Sequence, residues 1–175
     1  MTNYNKISKK SSHIAIFHHL YIDNFPDSER RDWANELELL ENEPRFHVVL
    51  ATCDELPVGF ISYWAFDSFT YIEHLAVEPS QRGKGHGSGL MRQVASLGRP
   101  LLLEVEPPLD EETRRRIVFY QHLGLALQDG IKYVQPPYSP GKPSVPLCLM
   151  TSPGRTRESI NAAVITLRSE VYRYK

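Results

Sequence analysis

Residues 71–91 (YIEHLAVEPSQRGKGHGSGLM) hold the densest chemistry in the chain. Gly83, Gly85 and Gly87 alternate with Lys84 and His86, after Arg82 and before Ser88. Glycines let several backbone N–H groups converge without Cβ interference. A helix that starts there adds unpaired N–H groups and the positive end of its dipole. Such a loop is a site for a pyrophosphate. A Walker loop needs Gly-Lys-Ser/Thr, and Lys84 is followed by Gly85. A dinucleotide fingerprint also fails. Counted from Gly83 its third glycine falls on Ser88, and counted from Gly85 it falls on Leu90. For the loop alone, the remaining alternative is a glycine-rich surface turn without a ligand.

Two carboxylates stand out. Glu104 lies inside the apolar run Leu101-Leu-Leu-Glu-Val105, where a charge needs a reason. Glu73 lies on the strand that leads into the glycine loop. Either could act as a base, directly or through water, if burial raises its pKa; either could instead be a rim charge paired with an arginine. His74, next to Glu73, points to the opposite sheet face by strand alternation and reads as a packing or hydrogen-bonding residue. His18, His19 and His47 lack carboxylate or cysteine partners at ligand spacing, so no metal is expected.

The elements that must position these residues follow from pattern. Residues 1–12 read as a loose, flexible polar tail. Residues 13–17 read as a first strand, and residues 25–30 open a helix capped by Asp27 or Ser28 with Trp33, Leu37 and Leu40 on its buried face. Residues 45–52, 58–66 and 71–77 form an antiparallel meander with short turns. A helix over residues 88–97 buries Leu90, Met91, Val94 and Leu97, with Gly98 at its C-terminus. Residues 100–105 form a short apolar strand. Asp110-Glu-Glu opens a helix with negative charge at the dipole's positive end, and Gly124 closes it. Residues 131–135 and 145–151 are two last strands around a proline-rich loop, stiffened by five prolines from Pro136 to Pro146. Ile160, Ala163, Val164, Leu167 and Val171 mark one face of a C-terminal helix. Runs of strands with inserted helices predict an α+β fold with a mixed sheet.

Composition excludes several classes. At 175 residues the chain is long enough for one domain with a sizeable core. A net charge of −1 provides no field for nucleic acid or an anionic membrane. Cys53 and Cys148, the only cysteines, read as free thiols in a reducing compartment. The N-terminus has no apolar signal region, and no run reaches the roughly 20 apolar residues of a membrane helix. A cytoplasmic location is the expectation.

Three motifs in this order resemble the GNAT N-acetyltransferase superfamily over residues 13–151. They are Leu75-Ala-Val77 followed by Arg82-Gly-Lys-Gly-His-Gly87, then Leu103-Glu-Val105, then Phe119-Tyr-Gln-His-Leu-Gly-Leu125. The resemblance implies a GNAT-like mixed, mostly antiparallel central sheet flanked by helices, with an extra C-terminal helix. The domain would span 13–152, and residues 153–175 would pack on it or on a partner, a second copy included. It implies acetyl-CoA as cosubstrate and direct acetyl transfer to a primary amine, without an acyl-enzyme. By this resemblance the backbone of Leu75, Ala76 and Val77 holds the pantetheine arm, with the Val77 N–H facing the thioester oxygen. The backbone N–H groups of residues 82–87 hold the pyrophosphate, and Ser88 opens the helix. Tyr120, one turn before Gly124, is the implied general acid; its bland alternative is a core tyrosine in register with Ile117. Glu104 matches the glutamate of the corresponding strand in the ribosomal-protein alanine acetyltransferases, with Glu73 the second candidate base. The acceptor would lie near residues 21–25 and 133–138. The chain departs from the family where an Asn often follows the Leu-Glu-Val strand; here stand Pro107, Pro108 and Asp110. The rival of another class is a non-catalytic acyl-CoA-binding or sensing module.

Overall fold

The computed structural model describes residues 1–173. They fall into two compact units, one of Met1–Pro26 with Asp32–Arg99, the other of Asp27–Arg31 with the described residues from Pro100 onward.

The first unit is built on an antiparallel meander. Its edge corrects the expected tail: Thr2–Ile7 is a strand, β1, which pairs with β2 (Phe46–Cys53), Thr2 opposite Cys53 and Ile7 opposite Val48. Only Ile7 of β1 is buried. Backbone pairing holds this edge strand, so its side chains stay polar and the sequence shows little strand pattern. The expected strand at 13–17 is also corrected. It is the start of α1 (Ile14–Asn24), whose buried Phe17, Leu20 and Tyr21 recur at helical spacing. A short apolar run does not distinguish the two periods until its continuation is read. α2 (Trp33–Asn42) begins later than expected, after a single turn at Asp27–Glu29. It buries Glu36 and Leu39, while Trp33, Leu37 and Leu40 are only half-buried.

β3 (Leu56–Ala65) and β4 (Thr70–Val77) complete the meander. Gly59 is required where β3 passes β4: a Cβ there would sit 2.5 Å from the Ala76 carbonyl oxygen. α3 (His86–Ala95) packs on this sheet through buried Leu90, Met91 and Val94; Leu97 lies past its end and is exposed.

In the second unit β8 (Val145–Thr151) is the central strand. It pairs antiparallel with β5 (Leu101–Val105), with β6 (Ala126–Leu127), and with β7 (Tyr133–Gln135). The two-residue β6 carries no readable pattern. α4 (Glu111–His122) packs on β5 and β6. It is opened by a reciprocal cap in which the Thr113 N–H donates to Asp110 Oδ1 (2.8 Å) and the Asp110 N–H to Thr113 Oγ1 (3.1 Å). Asp110 is thereby committed to the helix start. α5 (Arg157–Thr166) continues into a wide turn, Leu167–Val171. Its stripe, Ile160, Ala163, Leu167 and Val171, is buried within the single chain, as is Tyr172. The expected C-terminal segment extends to residue 175; its last two residues lie outside those described.

Candidate active site

The glycine loop is a backbone device. Gly83 and Gly85 have φ of 77° and 84°, a region closed to most side chains, and Gly85 is the N-cap of α3 with no side chain to cap it. The N–H groups of His86, Gly87 and Ser88 form the first turn, where an α-helix has no acceptors of its own. The side chains nearby are engaged elsewhere. The His86 imidazole is buried, with Nδ1 3.4 Å from Thr2 Oγ1 of β1. Tyr4 of β1 fills the space beside Gly89, whose added Cβ would lie 1.8 Å from the phenol oxygen. Strand β1 thus seats the first turn of the loop helix, a role absent from the sequence reading. Arg82 Nε donates to the Val77 carbonyl (3.2 Å) and its Nη2 to Asn24 Oδ1 (3.2 Å). Lys84 Nζ donates to Gln81 Oε1 at 2.9 Å. Both cations border the loop from exposed positions.

The strand that feeds the loop is irregular where it matters. Ser62 faces His74 and Tyr63 faces Ile72, so Glu73 has no opposite residue and forms a β-bulge. The Glu78 N–H donates to the Val58 carbonyl at 2.9 Å, and the register continues through Val77 opposite Gly59. In an antiparallel ladder, bonded and non-bonded pairs alternate. Ala76 is therefore bonded to β3, and the backbone groups of Leu75 and Val77 are directed off that edge. Glu73 Oε2 accepts the Trp64 indole N–H at 2.8 Å. His74 is buried, with Nδ1 3.3 Å from Ser62 Oγ and its ring edge-on to Tyr21 and Phe25 at 5.1 and 4.4 Å.

In the second unit, Glu104 on β5 is gripped by two phenols. Tyr133 of β7 donates to Oε1, and Tyr172, just beyond the last helical turn, donates to Oε2 at 2.7 Å. Hydrogen bonds to a carboxylate favour its charged form. Burial, and then the Glu104 charge, pushes the Tyr133 phenol far above its usual range, so it stays a donor. Tyr120 is the third residue before the cap Leu123 in α4. The Leu125 N–H returns to the Tyr120 carbonyl (3.1 Å) and the Gly124 N–H to that of Gln121 (2.9 Å), with Gly124 at φ 87°. The Leu-Gly pair is thus the helix stop, and it fixes the turn that carries Tyr120. Burial pushes the Tyr120 phenol up to about 12, so it holds its proton at neutral pH. Tyr120 and Ile117 share the buried face of α4, as the packing alternative also required.

Sequence reasoning missed Tyr172, Tyr133 and Trp64 as carboxylate partners. Tyr172 follows Val171, the last residue of the apolar stripe, and that adjacency was its one signal. Among the described residues no three His, Cys, Asp or Glu side chains gather as a metal site, and no helix is long and apolar enough to cross a membrane.

Residues 14–125 match the model of the Acetyltransferase (GNAT) family. A Bacillus subtilis (strain 168) protein named "Putative acetyltransferase YjbC" is 34% identical over 100 residues, 55% of this chain and 50% of that protein, so the match spans about half the length of this relative. A solved structure titled "Putative acetyltransferase from GNAT family from Bacteroides thetaiotaomicron" is 34% identical, covers 99% of both chains and superposes at a TM-score of 0.90. A GNAT family acetyltransferase from Elizabethkingia anophelis, solved with acetyl-CoA bound, is 13% identical over 86% of this chain and 97% of its own, at a TM-score of 0.60, and shares the fold. The mixed, mostly antiparallel sheet flanked by helices is the fold of these proteins. The chain belongs to the GNAT family of acetyltransferases.

Proposed function

We propose that the protein transfers an acetyl group from acetyl-CoA directly to a primary amine. The observation that carries the reading is Gly85, held left-handed at the start of α3 with the first-turn N–H groups uncapped by any side chain. Those groups, from Gly83 to Ser88, suit a pyrophosphate, and Arg82 and Lys84 add charge at the rim. The Elizabethkingia structure with acetyl-CoA bound supports the same cosubstrate on the same fold.

Acetyl-CoA supplies an activated acyl carbon, and this chain's residues do the rest. The Val77 N–H, directed off the β3 edge, donates to the acyl oxygen as charge builds on it. Glu104 takes the proton that the amine nitrogen loses as it bonds to the acyl carbon. Tyr120 gives its proton to the sulfur as the carbon–sulfur bond breaks. Glu104 is favoured over Glu73 as the base by the chemistry of their partners. An indole N–H can only donate, so the Trp64 bond opposes protonation of Glu73 Oε2. Two phenols, one on each oxygen, keep Glu104 ionised and ready to accept, and because a phenol can also accept, a contact can be kept once the proton arrives.

Calorimetric titration with acetyl-CoA, followed by an amine screen read by thiol release, tests the proposal. Micromolar binding with turnover on at least one amine is expected. Binding without turnover on any amine favours an acyl-CoA sensor, and no binding by the folded protein overturns both readings.

A further inference from the structure

The extra C-terminal helix reaches Glu104 by a route that no core motif contains. The wide turn Leu167–Val171 ends α5 and buries Val171 and Tyr172. Tyr172 then lays its ring against Tyr138 (centroids 4.9 Å) and sends its hydroxyl to Glu104 Oε2 at 2.7 Å. The position is braced twice. Buried Arg31 donates to the Val171 carbonyl at 3.0 Å and stacks over the Tyr138 ring at 4.8 Å. The connector that carries Arg31 is itself tied to the end of β7 and to the loop that follows it. Gln135 Nε2 donates to the Ser28 carbonyl at 3.3 Å, and Lys142 Nζ donates to the Arg30 carbonyl at 2.8 Å and to Asp27 Oδ1 at 3.2 Å.

A tyrosine placed only for packing has no need of a carboxylate. A carboxylate placed only for charge on the strand has no need of two phenols from two separate elements. One donor on each oxygen fixes the plane of the carboxyl group as well as its charge, because rotation about its last bond would break both contacts. We propose that Tyr172 is a positioning residue of the acetyl-transfer site, holding Glu104 ionised and oriented, so that the C-terminal segment is a working part of the enzyme. This rests on the reading of Glu104 as the base. Among the described residues, the titratable and charged groups around the cluster include Tyr133 of β7, Arg168 of the last turn, Arg31 of the connector and Tyr138 of the β7–β8 loop.

The test compares the wild-type protein with Tyr172→Phe, which keeps the ring and removes the donor. Carbon-13 labelling of glutamate side chains, with Glu104 assigned from Glu104→Gln, follows the carboxyl titration directly. Loss of one donor to the charged form raises the Glu104 midpoint by about one pH unit. The acid limb of kcat/KM, measured on an amine found in the screen, moves up by the same amount, while the plateau kcat changes little. An unmoved midpoint overturns the proposal and leaves acetyl transfer intact. A moved midpoint with an unmoved acid limb also overturns it, because the bond would then be structural only. A second measurement needs no variant: the Tyr172 ring carbon that bears the hydroxyl must titrate with the Glu104 midpoint in the wild-type protein, and separate midpoints overturn the contact. Failure of the acetyltransferase reading would show instead as a wild-type protein without turnover, which no carboxyl titration produces.

Discussion

The glycine loop of the first unit and the glutamate cluster of the second are built from different materials. The loop presents main-chain N–H groups, shaped by Gly83 and Gly85 in a left-handed conformation and seated by Tyr4 and Thr2 of β1. The cluster presents side chains, one carboxylate from β5 and two phenols from β7 and the C-terminal turn. A backbone site tolerates changes in its exposed side chains and fails when a Cβ enters. A side-chain site fails when one functional atom is removed, even if the fold is untouched. Substitutions can therefore tell the two apart.

The largest effect belongs to a single oxygen. Tyr120→Phe should lower kcat by about 100-fold or more, the usual worth of a positioned general acid, with the acetyl-CoA affinity unchanged. A kcat within a few-fold of wild type would return Tyr120 to its packing role beside Ile117. Next comes the loop. Gly85→Glu places a side chain at φ 84° and a negative charge where a pyrophosphate would lie, and should weaken acetyl-CoA binding by about 100-fold in calorimetry. Lys84→Ala, which removes an exposed cation engaged with Gln81, should cost less than tenfold. If Lys84→Ala matched Gly85→Glu, the loop would be a charge site and the contrast would collapse.

This difference in material also decides what could be read before the fold was known. The glycine turn into α3 was legible because glycine spacing is local, while the spacing alone left a ligand-free surface turn as the alternative. The meander β2–β4, the helix α4 and the apolar stripe of α5 were legible for the same reason: each is a periodic pattern within a dozen residues. β1 was not, because an edge strand held by backbone pairing leaves polar side chains at Thr2, Asn3, Asn5 and Lys6. α1 was misread as a strand because the apolar run 14–17 fits either period until Leu20 and Tyr21 are included. Glu104 could be flagged from its apolar strand, but its partners lie 29 and 68 residues away, and no local rule reaches that far.

Gly59 sharpens the contrast in stability. Its added Cβ would meet the Ala76 carbonyl oxygen at 2.5 Å, and a backbone atom cannot swing aside as a side chain can. Gly59→Ala must part β3 from β4 and should destabilise the protein by about 2–3 kcal/mol in urea unfolding. It should also weaken acetyl-CoA binding, because Ala76 sits between the two residues whose backbone groups leave the β3 edge. Gly89→Ala is the milder partner: its clash is with the hydroxyl end of Tyr4, which can rotate away.

The smallest effect is alkaline, and it belongs to the second unit. Tyr120 titrates near 10 in an unfolded chain, and burial pushes it up to about 12 in the fold. The folded state therefore disfavours the phenolate. The stability contribution is complete below pH 10 and is lost as pH rises from 10 through about 12. At pH 11 the loss from Tyr120 alone should be roughly 1 kcal/mol relative to pH 9. Tyr133, displaced in the same direction by burial and by the Glu104 charge, adds to the loss in the same sense. Urea unfolding at pH 9 and 11 should show the wild-type protein weakening, and Tyr120→Phe should weaken less because one of the two phenols no longer ionises. An equal loss in both proteins would mean that Tyr120 is hydrated in solution and titrates near the ordinary phenol value, so that burial does not set its proton affinity.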